Sequence, residues 1–212
     1  SSLFSALTGF GAAPPSSKGA EQIAVVKVPD DRIAFLSEIF KPKKRTPAAI
    51  EFSEISGIEA GEPKKRGLPD ELLARLRAAD AILCVVRAFS DPAVPHPLES
   101  VDPARDLRLL EAEFLLSDLA IVEGREERLV KQIAAKKSEP DVREIDALRK
   151  CRAILESETP LRRAGLNPAE EKLVRGFRLL TLKPLVVVAN LGEEDIGREA
   201  EALDPLAPWM EL

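Results

Sequence analysis

Four short apolar runs alternate along the chain with longer segments whose apolar residues recur every three or four positions. The runs are residues 23–28 (IAVVKV), 48–55 (AAIEFSEI), 81–86 (AILCVV) and 185–190 (LVVVAN). The third and fourth are continuously apolar, as strands covered on both faces are, whereas the second alternates and fits a strand nearer an edge. Helical spacing covers residues 32–40, 70–79 and a long segment from Pro103. This alternation predicts an α/β fold with a mostly parallel sheet.

The long helical segment has a clear start signal, with Asp102 as the N-cap and Pro103 at the first helical position. Its first half is apolar enough to pack on a sheet, and its second half is rich in charge. Residues 138–141 (SEPD) are expected to break it before a second charged helix. Two such helices joined by a short turn predict an antiparallel helical hairpin that projects from the core.

A further helix is expected at residues 167–170 (NPAE), where Asn167 is the cap, proline follows it, and Glu170 stands at the third helical position. We therefore expect three sections. Residues 1–117 form the first part of an α/β core, 118–166 the hairpin arm, and 167–212 the second part of the core.

Composition narrows the classes of function. A chain of 212 residues with 45% hydrophobic content can bury a sizeable core. A net charge of −5 disfavours a protein that coats nucleic acid, and we expect no DNA partner. The two cysteines, Cys84 and Cys151, lie in different contexts and indicate reduced thiols in a cytoplasmic protein. No apolar run reaches the length of about 18 residues needed to cross a membrane, so no membrane partner is expected.

Two polar pairs follow predicted strands, at the edge where α/β sheets bind ligands. Glu54 ends the second strand and Gly57 follows three residues later. In such a turn a carboxylate can hold a magnesium-bound water while a glycine amide faces a terminal phosphate; a simple turn glycine is the alternative. Asn190 ends the last strand and Glu193 follows it three residues later. These two residues either bind a nucleotide base or are simply polar residues where the strand passes into a loop.

Five segments carry a resemblance to a known family: residues 1–9 (SSLFSALTG), 28–61, 79–96, 101–123 and 179–195. Together, and in collinear order from Ser1 to about Glu194, they resemble the YchF-type, Obg-related P-loop NTPases. The resemblance implies a three-layer P-loop core with an inserted antiparallel helical hairpin arm. In that family the opening helix follows Gly-Lys-Ser-Thr, so the phosphate-binding lysine and glycines are expected upstream of Ser1.

The resemblance also implies roles for individual residues. Ser1 would ligate Mg²⁺ together with Glu54, and Ser1, Ser2 and Gly57 would contact the nucleotide phosphates. Gly57 and Glu54 would be the catalytic positions.

The base would be read by Asn190, Leu191 and Glu193. This NxxE arrangement, in place of the Asn-Lys-x-Asp of guanine-specific relatives, implies a preference for ATP over GTP. Ile58 stands where other GTPases place a water-orienting Gln, which implies slow hydrolysis. The family further implies association with ribosomes, whose rRNA the two basic runs described below could contact.

Several positions depart from the family pattern. Glu54 replaces an Asp, and the segment that should supply a magnesium-binding Thr offers only Ser16 or Ser17. The chain also ends before the further strand and the small C-terminal ubiquitin-like domain that the family carries. A second interpretation therefore stays open, in which this is an interaction module of the same fold that does not hydrolyse nucleotide.

The remaining candidates are weaker. Two basic runs, residues 41–45 (KPKKR) and 63–66 (PKKR), could contact RNA phosphates or be solvated surface. His96 is the only histidine, and we expect it to be a solvated loop residue. The hairpin is expected to bind a partner, because it contains no cluster of acids, His or Cys suited to catalysis.

Overall fold

The computed structural model describes residues 2–9, 22–55, 67–136 and 138–210, and of Ser2 the backbone only. The chain divides into two compact units, residues 1–59 and 60–212. Each unit contains its own two-stranded sheet.

The first unit contains two helices and an antiparallel strand pair. Its elements in chain order are α1 (Ser2–Thr8), β1 (Gln22–Lys27), α2 (Asp31–Phe40) and β2 (Ala49–Glu54). Strand β1 pairs with β2 so that Lys27 lies opposite Ala49 and Gln22 opposite Glu54. The alternating sequence of β2 agrees with this antiparallel pairing.

The second unit is built around a parallel strand pair. Its main elements are α3 (Asp70–Ala78), β3 (Ile82–Arg87), α4 (Pro103–Ala135), α5 (Glu139–Glu156), α6 (Pro168–Val174), β4 (Leu185–Asn190) and α7 (Glu199–Leu203). Short 3₁₀ turns lie at Leu161–Arg163, Arg175–Phe177, Leu180–Leu182, Glu193–Asp195 and Asp204–Trp209. The parallel pairing of β3 and β4 and the positions of all four strands agree with the sequence prediction to within two residues.

Helices α3 and α4 cover one face of the β3–β4 pair. Ile82 of β3 is buried in one cluster with Phe114 of α4, and leucines of α3 pack against that cluster. Val86 of β3 is buried with Leu107 of α4 in a second cluster. The apolar first half of α4 therefore packs on the sheet, as its sequence predicts.

The second half of α4 forms an antiparallel hairpin with α5. Val122 and Leu129 of α4 are buried against Leu148 and Cys151 of α5. Phe114 belongs to the sheet core and Val122 to the hairpin core, on one unbroken helix. The expected division between core and arm after residue 117 falls between them and stays a prediction.

Helix caps follow the sequence signals. Asp102 caps α4 by accepting a hydrogen bond from the backbone N–H of Arg105, and Asn167 with Glu170 forms a complete capping box on α6. The SEPD segment differs from expectation. Ser138 is the N-cap of α5 and the helix begins at Glu139, because serine followed by an acid and proline is itself a helix-start pattern.

None of the helices in the described part of the chain combines the length and apolar content that crossing a bilayer requires.

Both cysteines are free, and burial raises the pKa of each thiol to about 11.

Candidate functional site

The carboxyl ends of β3 and β4 lie at one edge of the second unit's sheet. The strands are parallel and in register, so Arg87 lies opposite Asn190. The pairing continues one step further, where the backbone N–H of Ala88 donates to the carbonyl oxygen of Asn190 at 2.9 Å. The residues that follow the two strands are therefore neighbours, as ligand binding at a sheet edge requires.

The turn after β4 presents the predicted base-reading residues. Asp195 accepts a hydrogen bond from the backbone N–H of Gly192 at 3.2 Å, which closes a short 3₁₀ turn. Asn190 and Glu193 are exposed, and neither side chain makes a hydrogen bond to another described residue. Leu191 between them is partly buried. The amide and carboxylate are thus free for a ligand, and their role in base reading stays a prediction.

An arginine fixes the loop after β3 at the same edge. The Arg87 guanidinium donates to the carbonyl oxygens of Phe89, Asp91 and Val94 at 3.0, 3.3 and 2.7 Å. It also lies 4.5 Å from the centroid of the Phe89 ring, within cation–π range. A cleft of about 460 Å³ opens beside this loop. Sequence reasoning missed Arg87, although an arginine that ends an apolar strand was the available signal.

His96 is not the solvated residue expected from the sequence. Its side chain is only 10% exposed and its Nε2 lies 2.9 Å from a carboxylate oxygen of Asp106 in α4. Its Nδ1 accepts the backbone N–H of Leu98 at 3.1 Å. Because Nδ1 accepts the Leu98 N–H, Nε2 is the ring nitrogen that faces the Asp106 carboxylate. The histidine therefore holds the loop onto the start of α4.

The predicted metal and phosphate residues belong to the first unit. Glu54 is the last residue of β2 and is partly buried. Ser2 begins α1, whereas Ser1, Gly57 and Ile58 lie outside the described residues. Their meeting with the base-reading turn in one site stays a prediction.

No three His, Cys, Asp or Glu side chains cluster closely enough to hold a metal ion within residues 2–9, 22–55, 67–136 and 138–210. Magnesium in nucleotide sites needs only one or two protein oxygens, because phosphates and water supply the rest. The oxygen donors expected here, a Ser hydroxyl and the Glu54 carboxylate, have the chemistry that such a cation prefers.

A buried carboxylate that sequence reasoning missed joins three parts of the second unit. Asp118 of α4 is 0% exposed. One oxygen accepts from the Arg77 guanidinium and the Leu180 backbone N–H, and the other from the N–H and hydroxyl of Thr181, all at 2.7–3.0 Å. Four donors satisfy the carboxylate fully, so its role is structural.

A second buried network ties the C-terminal turn to α4. Glu111 accepts from the indole N–H of Trp209 at 2.8 Å and pairs with Arg162. Burial and the nearby charge of Arg163 lower the pKa of Arg162 to about 10 despite that ion pair. Arg162 remains charged at neutral pH, and the network is a further structural link.

Comparison with the sequences of known proteins finds relatives that are ribosome-binding or Obg-like ATPases. The ribosome-binding ATPase YchF of Bacillus subtilis is 39% identical over 200 residues, which are 93% of this chain and 54% of that protein. Obg-like ATPase 1 of Oryza sativa subsp. indica is 33% identical over 189 residues, covering 89% of this chain and 48% of that protein. The chain spans about half the length of these curated relatives. No protein-family model matches it.

The structural comparison agrees. The Schizosaccharomyces pombe YchF GTPase matches with a TM-score of 0.72 and 30% identity, over 95% of this chain and 58% of that one. The α/β P-loop fold class expected from the sequence is confirmed by this match. Over the residues that these comparisons cover, the chain belongs to the YchF-type, Obg-related P-loop NTPases.

Proposed function

We propose that this chain is the nucleotide-binding portion of a P-loop NTPase that binds ATP, hydrolyses it slowly and associates with ribosomes. The observation that carries the proposal is the collinear similarity to ribosome-binding ATPases, together with an exposed Asn190 and Glu193 at the carboxyl edge of a parallel strand pair. This edge is where α/β sheets bind their ligands, which supports the assignment of these two residues to the nucleotide base.

The choice of ATP depends on the turn after β4. A guanine-specific site uses an Asp that accepts two hydrogen bonds from the base, and a Lys beside it. Here Glu193 is one carbon longer and Leu191 offers an apolar side chain. Loss of a matched pair of buried hydrogen bonds removes most of the preference for guanine.

The phosphate end is assigned to the first unit. Ser1 and Glu54 would hold Mg²⁺, which neutralises phosphate charge when bound, and the Gly57 amide would face the terminal phosphate. The chain's own contribution is to position the nucleotide and to stabilise charge, because phosphoryl transfer to water needs no covalent group from the protein. Ile58 cannot orient a water molecule, so turnover is slow.

The experiment measures binding and phosphate release with ATP and GTP on the full-length protein. Saturable binding that favours ATP is expected. The double variant Leu191→Lys with Glu193→Asp should shift the ratio of GTP to ATP affinity by about tenfold or more, since it restores the guanine-binding groups. Glu194→Asp, at the exposed next position, is the matched control and should leave the ratio unchanged.

Absence of saturable binding of either nucleotide would overturn the proposal. It would favour the alternative module that retains the fold without hydrolysis, to which the replacement of Asp by Glu54 already points.

A further inference from the structure

A strongly basic loop follows α2 in the first unit. The basic loop, residues 41–45, has four cationic side chains, all exposed, and no acid occurs between residues 41 and 50. Its four cations, Lys41, Lys43, Lys44 and Arg45, make no side-chain hydrogen bond or ion pair with any described residue. On a chain whose net charge is −5, this is a local concentration of unneutralised positive charge.

The backbone spreads these charges along one side of α2. Lys41 has a left-handed φ of 42°, which ends the helix and reverses the chain. The loop then returns along α2 to Ala49, which pairs with Lys27 just before the helix begins. A helix of ten residues is about 15 Å long. Lys41 follows the last residue of this helix and Lys27 precedes its first, so the cations are distributed between its two ends.

A groove lies at the end of this path. Lys27 and Arg45 both line it, and its volume is about 420 Å³. The acid in the groove, Asp30, is paired with Arg32 at 2.8 Å, and that pairing holds the pKa of Asp30 below its usual range. Lys27, like the loop cations, has no ion pair with a described residue. The groove therefore presents net positive charge.

An aromatic ring stands beside the first lysine of the loop. Phe40 is the last residue of α2 and is 74% exposed. A phenyl ring so exposed contributes little to the core, whereas it offers a flat apolar face next to Lys41. Unstacked nucleic-acid bases stack on such rings.

We propose that the basic loop, Lys27 and Phe40 form a binding surface for single-stranded or looped RNA. The cations contact successive phosphates along the strand and Phe40 stacks on one base. Four of the five cations are lysines, which bind phosphates as point charges; bidentate recognition of carboxylates, as in an acidic peptide, favours arginine. The choice of RNA as the polyanion rests on the proposed ribosome association. The arguments from charge and from base stacking are independent of that association.

The test uses the full-length protein and a fluorescent 12-nucleotide oligouridine, with dissociation constants measured from 50 to 200 mM salt. The triple variant Lys43→Gln/Lys44→Gln/Arg45→Gln should weaken binding about tenfold or more at 50 mM salt. The slope of log affinity against log salt should fall by about 2, because each phosphate contact on a single strand contributes about 0.7.

A charge-matched control separates local contact from net charge. Lys131→Gln/Lys172→Gln/Arg175→Gln removes three exposed cations of the second unit that have no ion pair with a described residue. It should stay within twofold of the parent. Phe40→Leu should weaken binding about fivefold or more and Phe40→Trp should preserve it, since stacking needs the ring. Melting temperatures of all variants should match the parent, because the altered side chains are exposed.

Four outcomes overturn the proposal: no oligouridine binding by the parent, equal loss in both triple variants, oligouridine binding that Phe40→Leu leaves unchanged, or tighter binding of duplex RNA or polyglutamate than of oligouridine. ATP binding by the full-length triple variant distinguishes this proposal from the proposed function. If the parent does not bind nucleotide but oligouridine binding behaves as expected, only the proposed NTPase function is overturned. If nucleotide binding is normal and oligouridine fails to bind, only the RNA surface falls.

Discussion

Glu170 is a single residue whose charge supports two helices. Its carboxylate accepts from the ammonium of Lys150 in α5 at 2.7 Å and from the backbone N–H of Asn167 at 2.9 Å. These two hydrogen bonds hold the pKa of Glu170 below its ordinary value, and the bond from Lys150 has the larger effect. One side chain thus completes the cap of α6 and attaches that helix to α5.

We predict that Glu170→Gln lowers stability at neutral pH and that the difference disappears in acid. A carboxyl whose folded pKa is depressed stabilises the fold above its unfolded pKa, and that contribution is lost as pH falls through the folded value. The difference in melting temperature between parent and variant should therefore close below about pH 4. Glu158→Gln, at an exposed position without an ion pair to a described residue, is the control and should leave the melting temperature unchanged.

The α4–α5 hairpin is held by an apolar seam bordered by ion pairs. Glu126 is nearly buried and accepts from Arg149 at 3.1 Å and from Arg152 at 2.7 Å. Arg125 and Glu144 form a further pair across the hairpin at 2.6 Å. The high charge of this segment, which in sequence suggested an arm that projects from the core, is therefore partly used to join the two helices.

Neighbouring glutamates in α4 provide a matched test at this scale. Glu126→Gln should reduce the free energy of unfolding by about 1–2 kcal/mol, because it weakens two charge-assisted hydrogen bonds. Glu127→Gln, an exposed position without a partner among the described residues, should change it by less than about 0.5 kcal/mol. Chemical denaturation of both variants measures the difference; equal effects would contradict the structural role of Glu126.

At the scale of the second unit, buried carboxylates connect elements distant in sequence. Asp118 joins α4 to Arg77 of α3 and to the turn that precedes β4. That turn leads into β4, and Asn190 is the last residue of this strand. The position of the candidate base-reading residues thus depends on a carboxylate that has no contact with them.

Removing this charge should have a large effect. Asp118→Asn places an amide N–H₂ among groups that are already donors, and we expect a loss of about 3 kcal/mol or more. For a chain of this size that corresponds to a fall of about 6–12 °C in melting temperature. Asp146→Asn, at an exposed position of α5, is the matched control and should leave the melting temperature unchanged.

The sequence by itself determined the elements and the family. Strand runs, the long helix from Pro103 and the caps Asp102 and Asn167 were predictable, because periodicity and capping act within a few residues of the chain. Helix α5 begins at Glu139, inside the SEPD segment that was expected to precede it, because this segment fits both a helix break and a helix start.

Only the tertiary structure decided which charges are buried and which remain free. Nothing local distinguishes Asp118 from Asp146, or Glu126 from Glu127, since their partners are supplied by segments up to about sixty residues away. The same holds for His96, which is held by Asp106, and for the basic loop, whose cations have no ion pair with a described residue. Pairing and desolvation are properties of packed neighbours, so they appear only when the chain has folded.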